Sequence, residues 1–310
     1  MEINKKSVLV IGDVMVDKWV YLEKVKLSPE ANVPVVRENS ALAQLGGAAN
    51  AVRHLENLSG SSHELLGLIG NDKAGVTLSD LSLEIDSRVQ LVTEAARKST
   101  QKIRYFLDES QIFRKDIEDT FEISSETEET FKKLIAESIE RHNVVLLSDY
   151  AKGVVSKNIV SFVIEQCQKA NKPVISDPGF GRLGLFAGCD VIKPNKIEWE
   201  YFVTQIGNEN DAIEYLIAKG TRYIFVTQGV HGIRLIGRDL DMTKPIEKTV
   251  KQVDVTGAGD SVAAAISLLY QTENDLDKLL VKLNQVGAST VSQIRTELPI
   301  FDFDSERSNQ

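Results

Sequence analysis

At 310 residues, with 42% apolar and 26% charged residues, the chain has material for one large domain or two small ones, and enough to bury a core. Its net charge of −9 disfavours a nucleic-acid-binding surface, although a local basic pocket remains compatible with it. No apolar run reaches membrane-spanning length, the start does not resemble a signal peptide, and Cys167 and Cys189 stand in no metal-like spacing. The expectation is a cytoplasmic chain with buried thiols and neither membrane nor nucleic acid as partner.

Residues 7–11 are a short apolar run ending at Gly12-Asp13, a buried strand with a carboxylate just past its C-terminal end. Residues 14–44 contain Pro29 and Pro34 among alternating β-formers, which predicts edge strands and turns. Gly46-Gly47-Ala48-Ala49-Asn50 opens an amphipathic helix to about Leu58, and 65–69 is a second strand followed by a loop through Gly70 and Gly75. Residues 89–93, 101–107 and 111–114 alternate apolar and polar like half-exposed strands, and group with 14–44 as a small sheet outside the main core.

From 124 the rhythm is regular. Ser125-x-x-Glu128 reads as a capping box before a helix carrying Phe131, Leu134, Ile135 and Ile139 on one face. Strands at 144–147, 173–175, 190–192 and 223–226 end at Asp149, Asp177, Asn195 and Thr227. Helices are predicted at 156–170, 195–205, 210–219, 258–270 and 275–292, with a further strand at 232–236 and a loose tail from 305. Strands alternating with helices predict a mostly parallel sheet covered on both faces, with its ligand outside the carboxyl ends of the strands, where Asp13, Asp149, Asp177, Asn195 and Thr227 converge.

Residues 253–261, Val-Asp-Val-Thr-Gly-Ala-Gly-Asp-Ser, run straight into the helix at 258. Two glycines let the backbone turn tightly, and the helix start offers unpaired N–H groups and the positive end of its dipole to an anion. Asp260 stands in that same first turn. Alone, the stretch fits a Gly-rich turn with an ordinary first-turn acid as well as a seat for a phosphoryl group beside a base. The four histidines form no cluster and read as surface or satisfied side chains.

Gly46-Gly47-Ala48-Ala49-Asn50, Gly67-x-x-Gly70-x-Asp72-x-x-Gly75, Asn195-x-x-Glu198 and Asp254-Val-Thr-Gly257-Ala-Gly259-Asp260 together resemble the ribokinase-like (PfkB) sugar kinases over about residues 7–295. The segments 10–17, 28–35, 148–153 and 111–116 are similar to the D-glycero-D-manno-heptose 7-phosphate 1-kinase branch, and the chain ends after the kinase segment, as the free-standing type does. That resemblance implies a single ribokinase-like α/β domain over 1–310, with a doubly wound, mostly parallel sheet and a small β lid formed by about 14–44 and 88–116. It implies ATP and Mg²⁺ as cofactors and a phosphosugar as substrate. Asp260 would be the base, with Gly257, Ala258 and Gly259 donating N–H groups to the developing charge. Asp13, Asp17, Gly46, Gly47 and Asn50 would hold sugar hydroxyls, and Lys102, Arg104 and Arg114 on the lid would meet a sugar phosphate. Asn195 and Glu198, three apart on one helix face, would orient Mg²⁺ through water. Thr227, Gly229, Gly232, Thr256 and Asn284 would line the nucleotide edge. Lid strands with open edges predict a homodimer through the lids.

The chain departs from the branch at Gln44-Leu45, where it carries Arg-Pro, at Gly179-Phe180 after Asp177-Pro178, where it carries Lys-Gly, and at residues 293–296. These changes keep open another sugar or a nucleoside as substrate, and a non-catalytic sugar- or nucleotide-sensing protein as the reading of another class. A dinucleotide-binding oxidoreductase is disfavoured, because Gly12-Asp13-Val14 lacks the glycine fingerprint after the first strand.

Overall fold

The computed structural model describes residues 6–108, 110–247, 256–293 and 298. Strand β1 (Val8–Gly12) is buried throughout, with Val8 and Val10 in one hydrophobic core and Leu9 and Ile11 in another. A strand with apolar residues in successive positions satisfies both faces only at the centre of a covered sheet. The chain then leaves the sheet as a long hairpin, β2 (Val14–Leu27) and β3 (Pro34–Gly47), paired from Val14↔Gly47 to Leu27↔Pro34. Helix α1 (Ala48–Ser59) follows at once, and β4 (Glu64–Ile69) returns parallel to β1.

Helix α2 (Lys73–Leu81) starts at Asp72, whose side chain accepts from the Gly75 N–H. It leads to β5 (Arg88–Thr93), and this corrects the sequence reading of the lid. β5 pairs parallel with β4 at the edge of the main sheet and is no part of the small one. An edge strand of a covered sheet shows the same half-exposed alternation as a lid strand, so the pattern could not separate them. The small sheet is β2 and β3 with β6 (Thr100–Leu107) and β7 (Ser110–Ile117), in the order β3-β2-β6-β7.

The second half follows the expected rhythm: α3 (Ser125–Arg141), β8 (Val144–Ser148), α4 (Lys157–Ala170), β9 (Val174–Asp177), β10 (Val191–Ile192), α5 (Lys196–Ile206), α6 (Glu209–Ala218) and β11 (Tyr223–Thr227). One local expectation shifts. The cap of α3 is Ser124, which accepts from the Thr127 N–H, so Ser125 and Glu128 form no capping box. Glu128 instead takes Lys132, Ser156 and Asn158. Antiparallel β12 (Ile233–Gly237) and β13 (Leu240–Lys244) end the sheet, and α7 (Ala258–Leu269) and α8 (Leu276–Val291) close the fold.

The large sheet runs β13-β12-β11-β10-β9-β8-β1-β4-β5. Helices α1, α7 and α8 contribute to the core on one face, and α3, α4, α5 and α6 to the core on the other. The connections diverge at β1: the chain goes to β4 on one side and to β8 on the other. That switch point leaves a crevice at the carboxyl ends, between Asp13 and the Asp149–Tyr150 loop, with α1 and α7 packed together beside it. Among the described residues no helix is long and apolar enough to cross a membrane.

Candidate active site

Helix α7 sets the geometry. Its body from Val262 to Leu269 is buried, so its axis is fixed by packing and its first turn projects into the crevice. Gly257 caps it at φ 82, a left-handed conformation that a side chain resists, and a Cβ there would stand 2.7 Å from Asn50 Nδ2. Gly259 is exposed, so its N–H end of the helix is open to an anion. Asp260 is 6% exposed. Asn50 Nδ2 of α1 donates to its Oδ2 at 2.7 Å, and the Tyr150 hydroxyl donates to its Oδ1.

Opposing influences act on the Asp260 carboxyl. Burial dominates and pushes the carboxyl up to about 6, against the hydrogen bonds of Tyr150 and Asn50. Asp260 is therefore a stronger base than an exposed aspartate while still ionised at neutral pH. Tyr150 is pushed well above its usual value by burial and by Asp260, so its hydroxyl keeps its proton and donates.

A cation that the sequence reading missed completes this end. Lys193, 3% exposed, ion-pairs with Asp177 Oδ1 at 2.9 Å, and its Nζ lies 3.6 Å from where a Cβ on Gly259 would be. Burial opposes the Lys193 charge, but Asp177, Glu198 and Asp260 outweigh it and hold the ammonium above its usual value. Burial likewise pushes Asp177 up to about 6. The available signal was a lysine directly after the two apolar residues of β10, since a buried lysine needs a carboxylate partner. Tyr150 lay inside the quoted 148–153 segment, but nothing in the sequence aimed its hydroxyl at Asp260.

On the side of the small sheet, Asp17 is 9% exposed and its Oδ1 takes Arg104 at 2.6 Å, with the guanidinium 5.3 Å above the Trp19 ring. A Cβ on Gly46 would lie 2.0 Å from Asp17 Oδ2, so glycine at 46 makes the room that this carboxylate occupies. Gly47 caps α1 at φ 63 and lets the Ala48 N–H reach the Asp13 carbonyl at 2.9 Å. Asp13 itself is 1% exposed, and its carboxylate receives the N–H groups of Tyr150, Lys152 and Val154. Placed so, it shapes the 150–154 loop. Burial, then the nearby Asp149, pushes it up to about 6.

The lid cations differ from one another. Arg114 is exposed and paired with Asp116 at 2.9 Å, and Lys152 pairs with Glu118 at 2.8 Å. Lys102 makes no ion pair among the described residues; its Nζ stands 5.1 Å over the Tyr150 ring. Asp149, one of the strand-end acids expected at the ligand crevice, is turned inward. Arg182 Nε donates to it at 2.7 Å, and so do the N–H groups of Ala151 and Gly179.

Beyond α7 lies a cavity of about 240 Å³ lined by Thr227, Gly229, Gly232, Ala258, Gly259 and Asn284, with Val262, Leu283, Ala288 and Val291 as apolar walls. A flat apolar ring fits such walls, and its phosphates would point at the α7 N-terminus. Asn284 Nδ2 is already engaged by the Lys244 carbonyl at 2.8 Å. Thr256 precedes the cap of α7, while Asp254 lies outside the described residues. Asn195 and Glu198 form a reciprocal capping box at α5, at 2.9 and 2.7 Å. Among the described residues no group of three or more His, Cys, Asp or Glu could hold a metal ion directly. Glu198 is the one carboxylate of the Asn195–Glu198 pair, which suits a divalent cation that keeps its water shell better than a bare one.

Comparisons with known proteins give the family and the fold. The family model described as pfkB family carbohydrate kinase matches residues 5–300. The chain is 32% identical over 303 residues to the bifunctional protein HldE of Rhodopseudomonas palustris (strain BisB5), covering 94% of this chain and 61% of that protein. It is 33% identical over 300 residues to the bifunctional protein HldE of Caulobacter vibrioides, with the same shares covered. The chain thus spans about three fifths of the length of these relatives. Among solved structures, phosphofructokinase-2 from Escherichia coli in complex with potassium superposes with a TM-score of 0.77 at 17% identity, over 95% of each chain. Arabidopsis thaliana ribokinase complexed with ribose and ATP gives 0.69 at 17% identity, over 96% of this chain and 95% of that one. With α7, its buried acid and the flanking cavity in a ribokinase-like fold, the chain belongs to the pfkB family of carbohydrate kinases, ATP-dependent phosphotransferases acting on a sugar hydroxyl.

Proposed function

We propose that this kinase transfers the γ-phosphoryl group of ATP to a phosphosugar, D-glycero-D-manno-heptose 7-phosphate at C1, giving the 1,7-bisphosphate for nucleotide-heptose synthesis in the cytoplasm. The observation that carries the phosphosugar reading is Lys102: a half-buried lid cation beside the site, without an ion pair among the described residues. Burial lowers its affinity for its proton, as do Lys152 and Arg114, while Asp17 acts the other way. An anionic substrate would neutralise it. The heptose assignment rests on the motifs around Asp13, Ser28 and Ser148 and on the HldE relatives.

The steps follow from the groups in place. Asp17 and Asn50 orient the acceptor, and its hydroxyl oxygen attacks the γ-phosphorus while the bond to the β,γ-bridging oxygen breaks. The hydroxyl proton passes to Asp260, and ADP leaves. The N–H groups at the α7 N-terminus and the Lys193 ammonium face the charge that builds on the transferred group. Asn195 and Glu198 would hold Mg²⁺ through water, and that ion supplies charge neutralisation between the phosphates. Lid strands carrying exposed Val25, Leu27, Val36, Leu42, Ile112 and Phe113 support pairing of two lids in a homodimer.

A second reading, a related sugar or nucleoside, is favoured by the 177–182 loop. Where the heptose kinases carry lysine this chain has Gly179, and Phe180 beside it is 57% exposed, its ring tilted against Tyr201 with centroids 4.7 Å apart. ADP release across a panel of phosphosugars, sugars and nucleosides separates the two. Stimulation by the heptose phosphate above all others supports the first, and stimulation only by an unphosphorylated acceptor removes it.

A further inference from the structure

Tyr150 is held at three points. Its N–H donates to Asp13 Oδ2 at 2.7 Å, its hydroxyl donates to Asp260 Oδ1, and its ring lies beneath Lys102 of the lid. The loop that carries it is wound tightly, with Ala151 at φ 57 and Gly153 at φ 87. The two partners of the base differ in freedom. Asn50 sits on α1, packed against α7, and its Nδ2 fills the space beside Gly257. Tyr150 sits on a loop, half-buried, with the lid over it. A carboxylate oxygen has a second acceptor direction. At 6% exposure, however, Asp260 offers little open surface to a new hydroxyl while the phenol is in place.

The geometry points to Tyr150 as a latch on the base: its hydroxyl holds Asp260 Oδ1 against water, and a sugar hydroxyl entering beneath the lid takes that place. This rests on Asp260 being the base. Its effect is to couple ATP cleavage to the presence of the acceptor. Water reaching Oδ1 would lose its proton to Asp260 and attack the γ-phosphorus, releasing ADP and phosphate. The phenol keeps its proton at neutral pH, so it blocks that route without becoming a nucleophile. Lys102 links the ring to the lid, so lid position and access to the base change together. Tyr150 is a positioning residue, and the groups acting on Asp260 beside it are Asn50 from α1, Asp177 at the end of β9 and Lys193 after β10, while His54 of α1 lies by Gly257. His54 is neutral there, its pKa lowered by burial to about 4.

The test is Tyr150→Phe in the full chain, with ADP release measured from MgATP with and without phosphosugar between pH 5 and 9. The ratio of sugar-independent to sugar-dependent release should rise about tenfold, the scale of one hydrogen bond to a charged group. The acid limb of kcat/KM should move up by about one pH unit, because the ionised base has lost a donor. Incorporating 3,5-difluorotyrosine at position 150, a stronger donor of nearly the same shape, should move that limb down and keep the ratio low. An unchanged ratio in Tyr150→Phe, or a limb that stays put in both variants, overturns the latch. Asp260→Asn distinguishes the two layers: full sugar-dependent turnover in that variant removes the base reading and the latch with it, whereas loss of turnover there with an unmoved Tyr150→Phe removes the latch alone.

Discussion

Asp260 shows how one residue is set for its task by its surroundings. Its carboxyl, ordinarily near 3.8, lies at about 6 because its own side chain is buried. The folded state therefore binds this proton more tightly than the unfolded one, and stability is lost as pH rises from about 4 to about 6. Asp260→Asn removes that penalty, and an asparagine there still accepts from Asn50 and donates to the tyrosine oxygen. The variant should melt higher than wild type, by up to roughly 2 kcal/mol. That advantage should grow between pH 4 and 6 and stay flat above, read by thermal unfolding in matched buffers. Its turnover should fall by at least about a hundredfold, read as sugar-dependent ADP release. Asp260, Asn50 and Asp17 were legible in the sequence because each sits in a short glycine-bearing or strand-end motif. Tyr150 and Lys193 were not, because their roles depend on burial and aim, which depend on distant chain segments. Asp13 and Asp149 were legible as strand-end acids, yet their carboxylates hold the 150–154 and 177–182 loops.

At the scale of elements, α7 and α8 wall the cavity proposed for the nucleotide, and the small sheet is the proposed cover of the acceptor. Ala288 on α8 is 9% exposed and lines the cavity. Ala288→Phe should fill it and raise KM for ATP at least about tenfold while leaving KM for the sugar near wild type, measured by steady-state kinetics. Lys102→Met acts on the other element, and KM for the phosphosugar should rise about tenfold or more with KM for ATP little changed. Equal changes in both constants would place Lys102 outside the acceptor site. The parallel sheet and its helices were legible because strand runs and 3.6-residue faces alternate cleanly after residue 124. The lid was legible only in part: β2, β3, β6 and β7 form the small sheet as expected, but the sequence of β5 reads the same way, and its pairing with β4 is a long-range choice that no local pattern encodes.

At the scale of the whole molecule, the lid places exposed apolar residues on strands with open edges, at Leu42 of β3 and Phe113 of β7. A dimer through this face should dissociate in Leu42→Glu with Phe113→Glu, read as a halved mass by light scattering behind size exclusion, with the fold retained. The same lid carries Lys102 over Tyr150, whose hydroxyl reaches Asp260 on α7, so lid, Tyr150 and the proposed base form one connected set. The most direct measurement is ADP release from MgATP with D-glycero-D-manno-heptose 7-phosphate, wild type beside Asp260→Asn, with the product analysed. The account predicts one bisphosphate formed per ADP in the wild type and loss of both in the variant. ADP release that no phosphosugar accelerates, or an Asp260→Asn enzyme as fast as wild type, would contradict it.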